Sequence, residues 1–182
     1  MYVFPKDNTF NETTPLYSRF NVTVWAKNVL NLTAWQVKMF FDPTMLTATN
    51  GWRPTWDSQY VFFNRTTMET QVTFGSNYIL LGDRLGINQP TFNGTGKLCT
   101  IELEMIRVPS EGRRIHGVFN VTNTDTYLLD RNLVEISAVK TNGNYAYYNR
   151  TNLIATGIEP VQVVWDAGID LVQDKATDFK IS

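Results

Sequence analysis

Seven Asn-x-Thr triplets are the residues of this 182-residue chain whose spacing most directly indicates chemistry. In such a triplet the amide nitrogen of the asparagine accepts an N-linked sugar. The chain has 17 asparagines and 29 serines plus threonines, for which chance predicts roughly three triplets. The alternative is that these residues serve turns and strands without being modified. We predict that the chain is N-glycosylated, with the acceptors Asn11, Asn21, Asn31, Asn64, Asn93, Asn120 and Asn149.

The other reactive side chains do not form a catalytic pattern. Cys99 is the only cysteine, which excludes an intramolecular disulfide, and its alternation with apolar residues in "KLCTIELEM" predicts a small buried side chain. Glu102 and Glu104 lie two apart on one strand face, whereas retaining glycosidases hold two carboxyls about 5 Å apart across a cleft. We interpret them as a solvated face. We therefore predict a protein that is not an enzyme and has no cofactor.

Metal binding is also not indicated by the spacing of ligand-type residues. His116 is the only histidine and has no cysteine at ligand spacing, so we expect an ordinary surface or strand-edge residue. Asp42, in "FDPTML", is expected to accept main-chain hydrogen bonds in a turn that Pro43 redirects. A metal-ligand role for Asp42 is the alternative.

Composition places the chain outside several functional classes. The 16 basic and 17 acidic residues are interspersed and give a net charge of −1, so there is no basic patch for nucleic acid. No apolar run reaches the roughly 20 residues that span a bilayer. The acceptor triplets predict a secreted surface protein. The chain does not open with a charged segment followed by an apolar one, so we expect that the secretion signal has already been removed. Glycosylation without disulfides favours an archaeal cell surface.

The acceptor asparagines lie among segments whose apolar residues alternate with a period of two. This pattern, with turn residues between short segments, predicts an antiparallel β-sandwich. Asn21 falls on the outer side of its segment, and Asn31 is expected in a connection before the next strand. The predicted core comprises Phe20, Val22, Val24, Trp35, Val37, Met39, Phe41, Cys99, Ile101, Leu103 and Met105. Further predicted strands are 59–63, 71–81, 97–108, 118–121, 126–129, 133–139 and 144–148.

Three stretches of the sequence resemble a cellulosomal cohesin-type module. They are "FNVTVWAKNVLNLTAWQVKMFFDPTMLTATN", "FNGTGKLCTIELEMI" and "YLLDRNLVEISAVKTNGNYAY". The string "AWQVKMFFDPTML" is similar to cohesin-domain surface proteins of archaea. The resemblance covers residues 2–148 and is poor across 51–74. It implies a nine-stranded, jelly-roll-like sandwich that is extracellular and binds rather than catalyses.

Residues 149–182 extend beyond this resemblance and form a second predicted region after the 1–148 sandwich. In "PVQVVWDAGIDLV" the apolar residues again alternate, which predicts a β-strand. Such a strand either folds back on its own sandwich or pairs with the edge of a neighbouring subunit. The predicted subunit-interface residues are Val161, Val163, Trp165, Ile169 and Leu171.

Two functional classes remain open from the sequence. The first is a structural subunit that self-assembles into a glycosylated cell-surface filament, with the C-terminal region as the donated strand. The second is a receptor or adhesion module that binds a dockerin-like partner or a glycan. Trp52, Trp56 and Tyr60 are candidates for stacking on sugar rings, and equally for packing under a long loop.

Overall fold

The computed structural model describes residues 1–150, and every regular element within them is a β-strand. For this part of the chain, the structure confirms the predicted all-β class and the prediction that it contains no helix. The strands are Tyr2–Phe4 (β1), Asp7–Asn11 (β2), Arg19–Leu32 (β3), Ala34–Phe40 (β4), Leu46–Trp52 (β5), Thr73–Phe74 (β6), Tyr78–Arg84 (β7), Phe92–Met105 (β8), Arg114–Phe119 (β9), Tyr127–Leu129 (β10) and Gly143–Tyr148 (β11).

The strands form the two layers of a sandwich. One layer is the antiparallel sheet β1-β3-β8-β5. The other layer contains the sheets β10-β4-β7-β6 and β2-β11-β9, in which β2 and β11 are parallel and the other pairs are antiparallel. These two sheets meet where Phe40 and Asn120 exchange main-chain hydrogen bonds of 3.0 and 2.9 Å.

The predicted inner residues fill the space between the layers. Val22, Val24, Val37, Met39 and Ile101 have no solvent exposure, and Phe20 packs half-buried against the same cluster. Asn21 is exposed on the opposite side of β3 from Val22, as the alternation predicts. The period of two therefore gave the correct register for the central strands, since a shift by one residue would have turned each apolar side chain outward.

β3 is longer than the sequence pattern indicates. We predicted Asn31 in a connection, but β3 continues to Leu32 and only Thr33 separates it from β4. The register with β8 shifts once between Val24 and Trp25, and it shifts twice more in the later part of β3, between Ala26 and Val29 and between Val29 and Leu32. Asn28 and Asn31 adopt left-handed φ values of 52° and 57° at the two later shifts, a conformation that asparagine tolerates better than most residues.

β4 is completed on one edge by side chains rather than by a continuous strand. Between β9 and β10, residues 121–125 loop away from the sheet. The main-chain N–H of Lys38 donates to Thr126 Oγ1 at 2.9 Å, and its carbonyl accepts from Asn123 Nδ2 at 2.8 Å. Thr126 is fully buried. These polar side chains satisfy the backbone of β4 where the partner strand is interrupted.

Several predicted elements differ from those in the structure. Residues 59–63 are turns with one bridge between Tyr60 and Lys97, and residues 133–139 form no strand beyond a bridge at Glu135. β1, β2 and β5 were not predicted, because β1 and β2 are short and the turn-like pair Asn50–Gly51 lies inside β5. A bulge between Ala48 and Asn50 accommodates that pair. The resemblance implies nine strands, whereas residues 1–150 contain eleven, three of them only two or three residues long.

Residues 151–182, which are all but the first two residues of the predicted C-terminal region, lie outside the described residues. The boundary at residue 148 and the interface residues Val161, Val163, Trp165, Ile169 and Leu171 therefore remain predictions.

Candidate functional site

The acceptor asparagines are distributed over the surface of the sandwich. Asn21, Asn31, Asn64 and Asn93 are exposed, whereas Asn11, Asn120 and Asn149 are half-buried. Asn21 lies on the outer face of the β1-β3-β8-β5 sheet, opposite Glu102. Asn31 and Asn93 are neighbours across β3 and β8, since Asn31 N–H donates to Asn93 Oδ1 at 2.8 Å. Each of these four positions can carry a sugar without displacing the core.

At two acceptors the third-position threonine closes a local turn. Asn11 Oδ1 accepts from the N–H and hydroxyl of Thr13 at 3.0 and 2.7 Å. Asn120 Oδ1 accepts the equivalent bonds from Thr122, both at 2.9 Å. Asparagine turns of this kind stabilise loops without modification. At Asn11 and Asn120 these hydrogen bonds therefore support the alternative to glycosylation, in which the asparagine serves to form a turn.

Asn149 differs from the other acceptors because its amide nitrogen is engaged. Its Nδ2 donates to the carbonyl of Pro109 at 2.8 Å, and the side chain is half-buried. A transferase meeting the folded sandwich would find this nitrogen less accessible than those of the exposed acceptors.

The FDPTML turn forms as predicted. Asp42 Oδ1 accepts from the N–H of Thr44 at 2.9 Å and from its hydroxyl at 2.7 Å. The carboxylate thus ends β4 and redirects the chain. Among residues 1–150 no group of three potential metal ligands comes together, at Asp42 or elsewhere, and His116 is an exposed residue of β9.

Glu102 and Glu104 belong to a polar network on the outer face of the β1-β3-β8-β5 sheet. Arg19 Nε donates to Glu104 at 2.8 Å, and its Nη1 lies 3.5 Å from Glu102. The hydroxyl of Thr49 donates to Glu102 at 2.6 Å. The two carboxylates share one arginine on an open sheet, where ion pairs contribute at most about 1 kcal/mol. This arrangement fits the predicted solvated face and lacks the cleft of a glycosidase.

An aromatic and charged group, which we call the Trp25 cluster, lies beside this network. It consists of Tyr2, Trp25, Lys97 and Asp57. The rings of Tyr2 and Trp25 stack with centroids 6.2 Å apart. Lys97 Nζ lies 5.4 Å from the Trp25 ring and forms an ion pair with Asp57. Cation–π contact and ion pairing hold Lys97 between the strand and the loop that carries Asp57.

The candidate sugar-stacking residues are separated by the fold. Tyr60 is buried with 2% exposure, so it packs under a loop. Trp56 is 72% exposed and Trp52 is half-buried. Trp56 alone of the three presents a ring that a sugar could cover.

A buried polar group, which sequence reasoning missed, anchors the 53–72 segment to β7. The Tyr60 hydroxyl donates to Asp83 Oδ2 at 2.5 Å, and Asp83 is 1% exposed. Arg53 Nη1 donates to the carbonyls of Thr70 and Gly82 at 2.9 and 3.0 Å. Burial raises the pKa of Asp83, because the charged carboxylate loses its water. The sequence gives little indication of this polar group, since Tyr60 and Asp83 lie 23 residues apart.

Cys99 is fully buried in the core, as predicted. Burial raises the pKa of its thiol to about 12. The thiolate needed for nucleophilic chemistry is therefore scarce at neutral pH.

Comparison with known proteins identifies the fold. No protein-family model matches the sequence, and no curated protein matches it. A non-cellulosomal cohesin from the archaeon Archaeoglobus fulgidus superimposes with a TM-score of 0.57 at 12% identity, covering 80% of this chain and 88% of that one. A Clostridium thermocellum cohesin, solved in the Coh-OlpC–Doc435 complex, gives 0.61 at 9% identity, covering 81% and 93%.

A third similar structure is the third cohesin ScaC of Acetivibrio cellulolyticus, in complex with the ScaB dockerin. Its TM-score is 0.58 at 12% identity, and the match covers 80% of this chain and 96% of that one. Together with the all-β topology, these likenesses show that the chain has a cohesin-like β-sandwich fold. The resemblance in the sequence is thereby confirmed at the level of the fold. Residues 1–150 contain no helix that is long and apolar enough to span a membrane.

Proposed function

We propose that this chain is a non-enzymatic subunit of a glycosylated extracellular filament, in which each copy donates a β-strand to the next. The observation that carries the proposal is that residues 1–150 already supply both layers of a sandwich, yet the sequence continues into a further amphipathic strand pattern. Burying each larger side chain of 161–172 would contribute roughly 1.5–3 kcal/mol. Left in water, the same segment would be prone to aggregate.

Head-to-tail strand addition explains why such an assembly would be open. Each copy offers one strand and one receiving edge, so the contact is heterologous and repeats into a fibre unless its rotation closes a ring. Four exposed acceptor asparagines support an extracellular location and a role for sugars in screening the sheets from unwanted pairing.

Electron microscopy of the native protein tests this function. Negative staining should show fibres for the intact chain. A variant lacking Gly157–Ser182 should be folded by circular dichroism and remain monomeric. If the intact chain stays monomeric at high concentration, or the truncated chain unfolds, the strand is intramolecular and the filament proposal fails.

The second candidate is a receptor module for a dockerin-like protein. Two of the similar structures are cohesins in complex with dockerins, and the outer face that carries Arg19, Glu102 and the Trp25 cluster offers polar and aromatic contacts. A sugar on Asn21 would obstruct this face, which favours the filament. Calorimetry with a protein of the same organism that carries duplicated calcium-loop sequences tests the receptor reading. Calcium-dependent binding to the intact chain would support it, and no heat of binding would count against it.

Glycan binding is the remaining form of the second candidate. It rests on the exposed ring of Trp56. Titration with oligosaccharides should then change the tryptophan fluorescence of the intact protein. The fluorescence of the Trp56→Ala variant should not change in the same titration.

A further inference from the structure

The free edge of β9 is the most regular unpaired strand edge among the described residues. β9 pairs on one side with β11, from Gly143↔Phe119 to Tyr148↔Arg114. Main-chain groups alternate in direction along a strand, and Asn120, the next residue, directs its N–H and carbonyl to Phe40. The N–H and carbonyl groups of Val118, His116 and Arg114 therefore point away from β11, and no main-chain bond from residues 1–150 reaches them.

The other exposed edges are less suited to receive a strand. β5 is interrupted by the bulge between Ala48 and Asn50, and β6 has only two residues. β1 and β10 are partly covered, through hydrogen bonds from Val3 N–H to Thr141 and from Ile136 N–H to Leu128. The edge of β2 is acidic, with Asp7 at its start and Glu12 after its end.

The two sides of β9 have different chemistry. Arg114, His116 and Val118 are exposed on the outer side, and the Arg114 guanidinium lies 4.7 Å from the Tyr148 ring of β11. Phe119 is buried and Ile115 is half-buried on the inner side, where both pack against the core. The outer side is therefore basic, while the inner side continues the apolar layer.

The alternating residues of 161–172 are complementary in charge and polarity to the two sides of β9. Its odd positions are apolar, namely Val161, Val163, Trp165, Ala167, Ile169 and Leu171. Its even positions are Gln162, Val164, Asp166, Gly168, Asp170 and Val172, and residues 151–182 as a whole carry five acidic and two basic residues. An extended strand with these positions would present one wholly apolar side and one mixed side whose only charges are acidic, which we call the acidic side.

We propose that the free edge of β9 binds residues 161–172 of a second copy of this chain. This inference rests on the proposed filament and names its receiving site. Main-chain bonds to Arg114, His116 and Val118 extend the sheet. The acidic side of the added strand faces Arg114 and His116, and its apolar side lies next to Ile115 and Phe119, so that cross-strand pairs are complementary on both faces.

Two variants of the intact chain test the site. His116→Pro removes an N–H that points away from β11, at an edge position where proline is tolerated. Arg114→Glu reverses the charge of the outer side. Lys27→Glu is the matched control, because Lys27 is an exposed cation on β3 in the other layer. Circular dichroism and thermal melts establish that each variant is folded.

The readout is the protein concentration that remains in the supernatant after filaments are sedimented. His116→Pro should raise it at least about tenfold, and Arg114→Glu severalfold, with the latter effect smaller at high salt because screening weakens exposed charge pairs. Combining Arg114→Glu with Asp166→Arg and Asp170→Arg should restore assembly, while Lys27→Glu should match the wild type.

The outcomes separate this site from the function on which it rests. If the wild type forms filaments and both β9 variants assemble as it does, the receiving edge is elsewhere and the filament proposal stands. If the wild type forms no filaments, the proposed function and this inference both fail.

Discussion

The buried pair of Tyr60 and Asp83 allows a quantitative prediction about the 53–72 segment. Tyr60→Phe deletes only the hydroxyl, which donates to Asp83 at 2.5 Å in a site with 1–2% exposure. Asp83 keeps one bond from the N–H of Arg84 at 2.8 Å. Loss of a buried hydrogen bond, which leaves its acceptor without that donor, costs about 1–3 kcal/mol. We expect Tyr60→Phe to lower the free energy of unfolding by that amount at pH 7.

The same site predicts a pH dependence with a defined sign. Because burial raises the pKa of Asp83 above its ordinary value, the folded state holds this proton to higher pH than the unfolded state does. Stability should therefore fall as the pH rises from about 4 through the folded pKa. In the Asp83→Asn variant the side chain can still accept from Arg84 and bond to the Tyr60 hydroxyl. This variant should therefore remain folded, and its stability should not fall as the pH rises.

Urea unfolding followed by tryptophan fluorescence measures both effects between pH 4 and 7. Tyr17→Phe is the control, because Tyr17 is 64% exposed and should change stability by less than about 0.5 kcal/mol. If Tyr60→Phe is as stable as this control, the pair does not anchor the segment. If Asp83→Asn keeps the wild-type pH profile, another group causes the decline.

The remaining predictions concern single sites. Mass spectrometry of native protein should find higher sugar occupancy at the exposed acceptors than at Asn149, and equal or inverted occupancy would contradict the accessibility argument. Cys99, with its pKa near 12, should resist thiol reagents until the chain unfolds; rapid labelling in the native state would show that the core is open. Arg19→Ala should leave the urea midpoint of unfolding close to that of the wild type, because exposed ion pairs contribute little, and a clear loss of stability would mean that the Glu102–Glu104 network is not a solvated face.

The central strands could be predicted from the sequence because their apolar period is local and regular. Val22 and Val24, or Val37 and Met39, alternate with polar residues over enough positions to fix both strand and register. β5 could not be predicted in this way, because the pair Asn50–Gly51 is typical of a turn. Only its pairing with β8 shows that a bulge accommodates this pair within the strand.

The parts that could not be predicted depend on contacts between distant residues. Tyr60 meets Asp83, and Thr126 completes β4, across 23 and 88 residues of sequence. Neither contact leaves a periodic signal. The acceptor triplets, in contrast, are visible in the sequence, but their accessibility depends on the fold: Asn21 is exposed while Asn149 donates to Pro109.

The most direct test of the filament is a chain-termination measurement. A copy that lacks Gly157–Ser182 keeps the edge of β9 but has no strand to donate, so it should accept a tail and stop growth at that end. Adding it to assembling intact protein should shorten the filaments seen by electron microscopy in proportion to its mole fraction. Filaments of unchanged length, from which the truncated copy is excluded, would contradict strand donation between subunits.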